Sequence, residues 1–253
     1  MRAAYRPEGG AGRIRSGFER KAPVMAIIHH TTLSPTKLEL LTRWLPSRPW
    51  YRAGEAASEA ASGEQPVLAK AGGFRLEDPS GEVGIEFMAV TDSAGGEPVT
   101  YQTPMTYRAA PLAGAEDALV GTLEHGVLGK RWVYDATRDP VAVAQLYALL
   151  TGRAEAQAQS RSDTPDRTVR VRAATDVPLQ DAGTGAVHDG KRSTDVTLVL
   201  PVEGSLWLRF LRVPPAHTVP ETTDSAAHIT VGWTAPDGAP RHGLWCALID
   251  SRE

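Results

Sequence analysis

From Pro66 onward the apolar residues recur with a period near two, and clusters of Gly, Pro and Asp cut the chain before any apolar run exceeds a strand in length. Successive side chains of a strand point to opposite faces, so a chain patterned this way is committed to antiparallel sheet made of short elements. The stretch PVLAKAGGFRLEDPSGEVGIEFMAVTD predicts two strands, 68–76 and 82–92, joined by a turn at Asp78-Pro79-Ser80-Gly81. Residues 99–108 supply a third strand after Gly95-Gly96, and 117–122 with 130–135 supply a pair around His125-Gly126. Further on, 168–173, 194–202, 205–213, 228–234 and 243–249 alternate again without a helical pattern of useful length.

Two segments break the period. Ser34-Pro35 reads as an N-cap followed by proline at the first helical position, opening a helix over 35–45. Leu38, Leu41 and Leu45, with Leu40 and Trp44, give it a wide apolar stripe, and Pro46 and Pro49 end it. Asp139-Pro140 repeats the signal for a helix over 141–150, which stops at Gly152. Residues 25–32 read as a short strand, and the Ala, Ser, Glu and Gly mixture of 54–64 as a surface loop. The polar stretch 153–167 contains a Thr-Pro turn and no large apolar residue, so it is the expected linker. The expected organisation is a disordered basic arm at 1–24, an α+β domain at 25–152, the linker at 153–167 and a small all-β domain at 168–253; Met25 is a plausible start of the protein proper.

Charge narrows the partners. The net charge of the 253-residue chain is −3, but residues 1–24 carry six basic against two acidic side chains, leaving the remainder at −7. A body so charged does not neutralise phosphates, so nucleic acid is not an expected partner. No uncharged run approaches the roughly 18–20 residues that span a bilayer, so no membrane partner is expected. The single cysteine, Cys246, cannot close an intramolecular disulfide or build a thiolate zinc site, which fits the cytoplasm.

Chemical motifs are sparse. The segment GTLEHGVLGK (121–130) has the glycines of a phosphate loop, but Lys130 is followed by Arg131, not by Ser or Thr, and a hairpin loop explains the glycines. His29 and His30 would point to opposite faces of a strand, and the other histidines lack metal-ligand spacing. No G-x-S-x-G elbow is present, and Cys246 sits in an apolar run as an inert core thiol. Asp135 and Asp139 bracket a turn, and Glu82 and Glu86 fall on one side of a predicted strand, so these carboxylates are the candidates for acid–base work; helix capping and a solvated sheet face are the competing readings. The aromatics Trp44, Trp50, Tyr51, Trp132 and Tyr134 are of the kind that stacks on sugar rings or fills a core; core is the leading expectation for all five, with Trp50-Tyr51, placed after Pro49 outside the helix, the pair expected to be partly exposed. No cofactor and no metal are expected.

The run LELLTRWLPSRPWY followed by a low-complexity loop resembles the N-terminal cap domain of actinobacterial maltokinases, which opens with a helix ending in L-P-x-x-R-W-Y. The later run ALVGTLEHGVLGKRWVYDATRDPVAVAQLYALL is similar to the end of that cap. The resemblance covers about residues 25–152 and departs from the pattern at Pro49, where an arginine is expected, and at Gly54-Glu55, where a Gly-Lys pair is expected. It implies a curved antiparallel sheet packed on a long helix, without the kinase lobes that carry sugar and nucleotide chemistry. It further implies a stand-alone, non-catalytic accessory protein of maltose, trehalose or α-glucan metabolism that docks on a sugar kinase or glucan-processing enzyme or binds a glycan. The candidate ligand or partner surface is Trp44, Arg48, Trp50 and Tyr51, and a small carbohydrate-active enzyme using Glu82, Glu86 or Asp135 is the alternative.

Overall fold

In a computed structural model, residues 32–52, 65–161, 163–174, 182–200, 206–215 and 225–250 are described. The basic arm, the strand expected at 25–32 and the loop expected at 54–64 lie outside the described residues apart from Thr32. The chain enters through a two-residue strand, β1 (Leu33–Ser34), and α1 (Lys37–Trp44). The helix starts two residues later than expected. Ser34 is occupied in the sheet, and Thr36 instead forms a capping box with Glu39: Glu39 N–H donates to Thr36 Oγ1 (3.2 Å) and Thr36 N–H donates to the Glu39 carboxylate (2.7 Å). Pro46 then lies in a 3₁₀ turn, Leu45–Ser47.

The expected strands follow closely. They are β2 (Leu68–Leu76), β3 (Gly84–Asp92), β4 (Val99–Arg108), β5 (Leu119–His125) and β6 (Gly129–Asp135). The segment read against a phosphate loop is the β5–β6 hairpin, with Gly129 at φ +69° and the His125 ring accepting from the Val127 and Leu128 N–H groups. Asp139 caps α2 (Pro140–Leu150) by accepting from Val141 N–H at 3.0 Å. Beyond it run β7 (Gln157–Ala158), β8 (Arg170–Arg172), β9 (Gly183–Asp189), β10 (Ser193–Val199), β11 (Leu206–Leu211), β12 (Ala227–Thr234) and β13 (Pro240–Asp250).

All pairings are antiparallel, in the order β1-β5-β6-β4-β3-β2-β12-β13-β11-β10-β9, with β7 on β2 and β8 on β12. The sheet curls enough that Gln102 N–H on β4 donates to the Arg212 carbonyl just past β11 (2.9 Å). Strand β3 is buried on both faces. Met88 and Val90 join Leu40, Leu41, Trp44 and Leu45 of the α1 turn in one core; Ile85, Phe87 and Ala89 join Val143, Leu146 and Leu150 of α2 and Val196, Leu208, Ile229 and Trp245 in the other.

Antiparallel sheet dominates as expected, but the long helix implied by the resemblance is absent among the described residues: the two α-helices have 8 and 11 residues. The stretch read as a linker carries β7, with Ala156 and Gln157 buried against the sheet. No break in the sheet coincides with 153–167, because β2 joins β12 through Gly72 and Trp233 and the α2 core draws on both halves.

Candidate functional site

The short α1 helix holds the residues read as a ligand surface, and the apolar stripe that made it recognisable also turns them inward. Trp44 and Trp50 are 7% and 1% exposed and meet edge to face at 5.7 Å. Trp50 is further covered by Tyr101 (6.0 Å) and by the Arg212 guanidinium, 4.7 Å above its ring. Its expected exposure is thus corrected: Pro49 ends the turn, but the ring falls back into the core between α1 and β4, and its face is closed to a sugar. Tyr51 is half-buried, its hydroxyl donating to Asp92 (2.8 Å), and burial together with that carboxylate raises its pKa well above the ordinary phenol value. Arg48 stays near the surface, stacked on the Trp44 ring at 4.9 Å and bonded to Ser47.

The carboxylates separate. Glu82 is exposed and precedes the strand, because Asp78 draws the Glu82 and Val83 N–H groups into its own turn (3.0 and 2.9 Å) and β3 begins only at Gly84. It therefore does not share a strand face with Glu86. Nor does Glu86 lie on a solvated face, since β3 has none: its side chain is 5% exposed. One oxygen accepts from Lys37 Nζ (2.5 Å) and the Tyr107 hydroxyl (2.7 Å), the other from Gln159 (3.1 Å). Burial alone would raise the Glu86 pKa, but the Lys37 ammonium, these hydrogen bonds and the charge of Lys70 outweigh it and hold the carboxyl below its ordinary value of 4.5. A group held below its unfolded value stabilises the fold at every pH above that value, and loses the contribution as pH falls through the folded one. Acid titration of the full chain, followed by urea midpoint, is thus expected to show stability falling below about pH 4.5 and a shallower fall in Glu86→Gln. Equal slopes in the two proteins would remove Glu86 as the cause.

Asp135 ends β6 and also caps the following turn, accepting from Thr137 N–H at 3.1 Å. It faces Arg212, a residue that the sequence analysis did not single out and that is wholly buried. Arg212 donates to Asp135 (2.5 Å), to Thr137 Oγ1 (3.2 Å) and to Thr194 Oγ1 (2.7 Å). Asp139, besides capping α2, takes a bidentate bond from Arg108 (both 2.6 Å).

Glu86 and Asp135 occupy one row of the sheet, both registered against Met105 on the strand between them. Two strand spacings put their backbones about 10 Å apart. Met105 is 1% exposed and sits between them, so a buried side chain stands between the two carboxylates. Cys246 is equally enclosed: burial pushes its thiol up to about 12 despite the Gln102 side chain and Arg212. Among the described residues no group of three or more His, Cys, Asp or Glu is placed to hold a metal, and no helix is long and apolar enough to cross a membrane.

Two comparisons bear on identity. No curated protein matches the chain significantly. Residues 44–139, from the end of α1 to the cap of α2, match the family described as the maltokinase N-terminal cap domain.

Proposed function

We propose, starting from the match of residues 44–139 to the maltokinase N-terminal cap domain, that this chain is a non-catalytic, cap-like accessory protein of maltose, trehalose or α-glucan metabolism that docks on a sugar-processing enzyme such as a sugar kinase. The match supports the link to maltokinase. The observation that carries the non-catalytic reading is the row Glu86–Met105–Asp135: each carboxylate is paired with a cation, Glu86 with partly exposed Lys37 and Asp135 with buried Arg212, and a buried methionine stands between the two where an acid–base pair would hold its substrate. The surface left by the candidate set is the corner at the end of α1, where Arg48 lies over Trp44 and Tyr51 is partly open. In this reading that corner meets the partner, and the protein works in the cytoplasm, consistent with a free, buried cysteine.

The test pairs binding with turnover. The full chain is titrated by calorimetry against a purified maltokinase and assayed alone with ATP and maltose. Binding that weakens in Arg48→Ala, without phosphorylation or ATP hydrolysis by the chain alone, is expected. Turnover by the chain that disappears in Glu86→Gln would overturn the non-catalytic reading, and absence of any complex would overturn the docking role.

A further inference from the structure

Most aromatics of this protein are consumed by its two cores, which makes one exception informative. Among the described residues Trp207 is the one aromatic left exposed, at 38%. Strand β11 alternates cleanly: Leu206, Leu208 and Phe210 enter the α2 core, and Trp207 and Arg209 face outward. The position is not a fraying edge. Strand β11 is paired on both sides, so Trp207 stands opposite Thr197 of β10 and Ile249 of β13. Val199, 58% exposed, continues the Thr197 face of β10. Two residues along β11, about 7 Å away, Arg209 holds Asp195 through two parallel bonds of 2.8 and 2.7 Å.

We propose that this outer face of β10, β11 and β13, centred on Trp207, is a binding site for a linear α-glucan. A pyranose ring has an apolar C–H face and a rim of hydroxyls. The exposed indole suits the first, and the adjacent guanidinium–carboxylate fork, with Thr197, suits the second by presenting donors and acceptors in fixed positions. The fork is neutral as a pair, so it gives no net attraction to a phosphate or an acidic chain, and the ligand it fits is an uncharged one. A protein partner is the poorer fit. A standard interface needs about 800 Å² from each side, whereas the open part of an indole that is 38% exposed supplies only about 100 Å², and its neighbours mix apolar Val199 and Ile249 with polar Thr197, Asp195 and Arg209. The site is also distinct from the residues the sequence pointed to: Trp50, the expected sugar platform, is closed, and Trp207 carries the geometry expected of it.

The choice of an α-linked polymer rests on the proposed link to α-glucan metabolism; the stacking site itself rests on Trp207 and its neighbours. Native electrophoresis of the full chain in gels containing amylose, glycogen or hydroxyethylcellulose, with a maltoheptaose titration, tests both. Retardation by amylose and glycogen is expected, with maltoheptaose affinity falling at least about tenfold in Trp207→Ala, less in Trp207→Phe, and measurably in Arg209→Met. Because the indole faces solvent and not the core, Trp207→Ala is expected to stay folded with only a small drop in urea midpoint and Trp207→Phe to keep the parent value, which separates lost binding from lost folding. A parent protein that no polysaccharide retards, or a Trp207→Ala protein that binds like the parent, would overturn the site. Retardation by hydroxyethylcellulose alone would overturn the α-glucan assignment. Loss of glucan binding with kinase binding intact would sink this site and leave the accessory role standing, and the converse result would do the reverse.

Discussion

Arg212→Ala is expected to lower the unfolding free energy by about 3–5 kcal/mol. The guanidinium is wholly buried, pairs with Asp135, reaches Thr137 and Thr194, and roofs the Trp50 ring. Its backbone is tied as well: Arg212 N–H donates to the Arg192 carbonyl, and its own carbonyl accepts from Gln102 N–H (2.8 and 2.9 Å). Truncation would therefore open a void over Trp50 and leave Asp135, at 5% exposure, as an unpaired buried carboxylate. Asp135→Ala should cost a comparable amount for the mirror-image reason. The double substitution Arg212→Met, Asp135→Leu should recover much of the loss, since a buried ion pair replaced by apolar groups of similar volume is often close to neutral. Urea midpoints of the four proteins check this. A loss below about 1 kcal/mol in Arg212→Ala would mean that water already solvates the pair.

Gly73→Ala is expected to cost roughly 2–5 kcal/mol, the sum of backbone strain and overpacking. Gly73 sits in β2 just past the irregularity between Lys70 and Gly72, at φ +128°, a conformation that residues with a side chain rarely adopt. A Cβ there would fall on the Phe87 carbonyl oxygen and within 2.9 Å of both the Met88 Cα and the Gln159 amide nitrogen. The backbone oxygen and Cα belong to β3, the strand packed on both faces, so they cannot withdraw without disturbing both cores. Gln159 also anchors Glu86, and the substitution should therefore disturb that buried pair as well. A denaturation midpoint within about 1 kcal/mol of the parent would show that β2 slides to accommodate the methyl group.

How much of this was legible in the sequence differs between backbone and site. The bounds of β2 and β4 and the Asp139 cap follow from period-two patterning and turn chemistry, which are local signals. Strand β9, Gly183–Asp189, was missed because GTGAVHD has glycine where alternation needs a side chain, and its place at the end of the sheet asks little of its composition. The inward turn of Trp50 depends on Arg212, a residue far away in the chain, and no local rule reports such a contact. Arg212 itself did leave a trace. In LWLRFLR the inward phase runs Leu206, Leu208, Phe210, Arg212, and extending the alternation by one step puts a charge on the buried side, where it needs a partner. The burial of Glu86 was hidden for the opposite reason: GIEFMAVTD reads as half-solvated only if one face of the strand is free, and that is decided by what packs against the sheet, not by the strand.

Asp139 marks both the end of the family match and the cap of α2, so the match stops where the helix that lines one core begins. Phe74, Phe87 and Ala89 lie inside the matched stretch, yet they are covered by Val143, Leu146 and Leu150 and by strands drawn from the far end of the chain. Cut free at Asp139 and transplanted alone, the matched stretch would therefore turn these apolar side chains out into solvent.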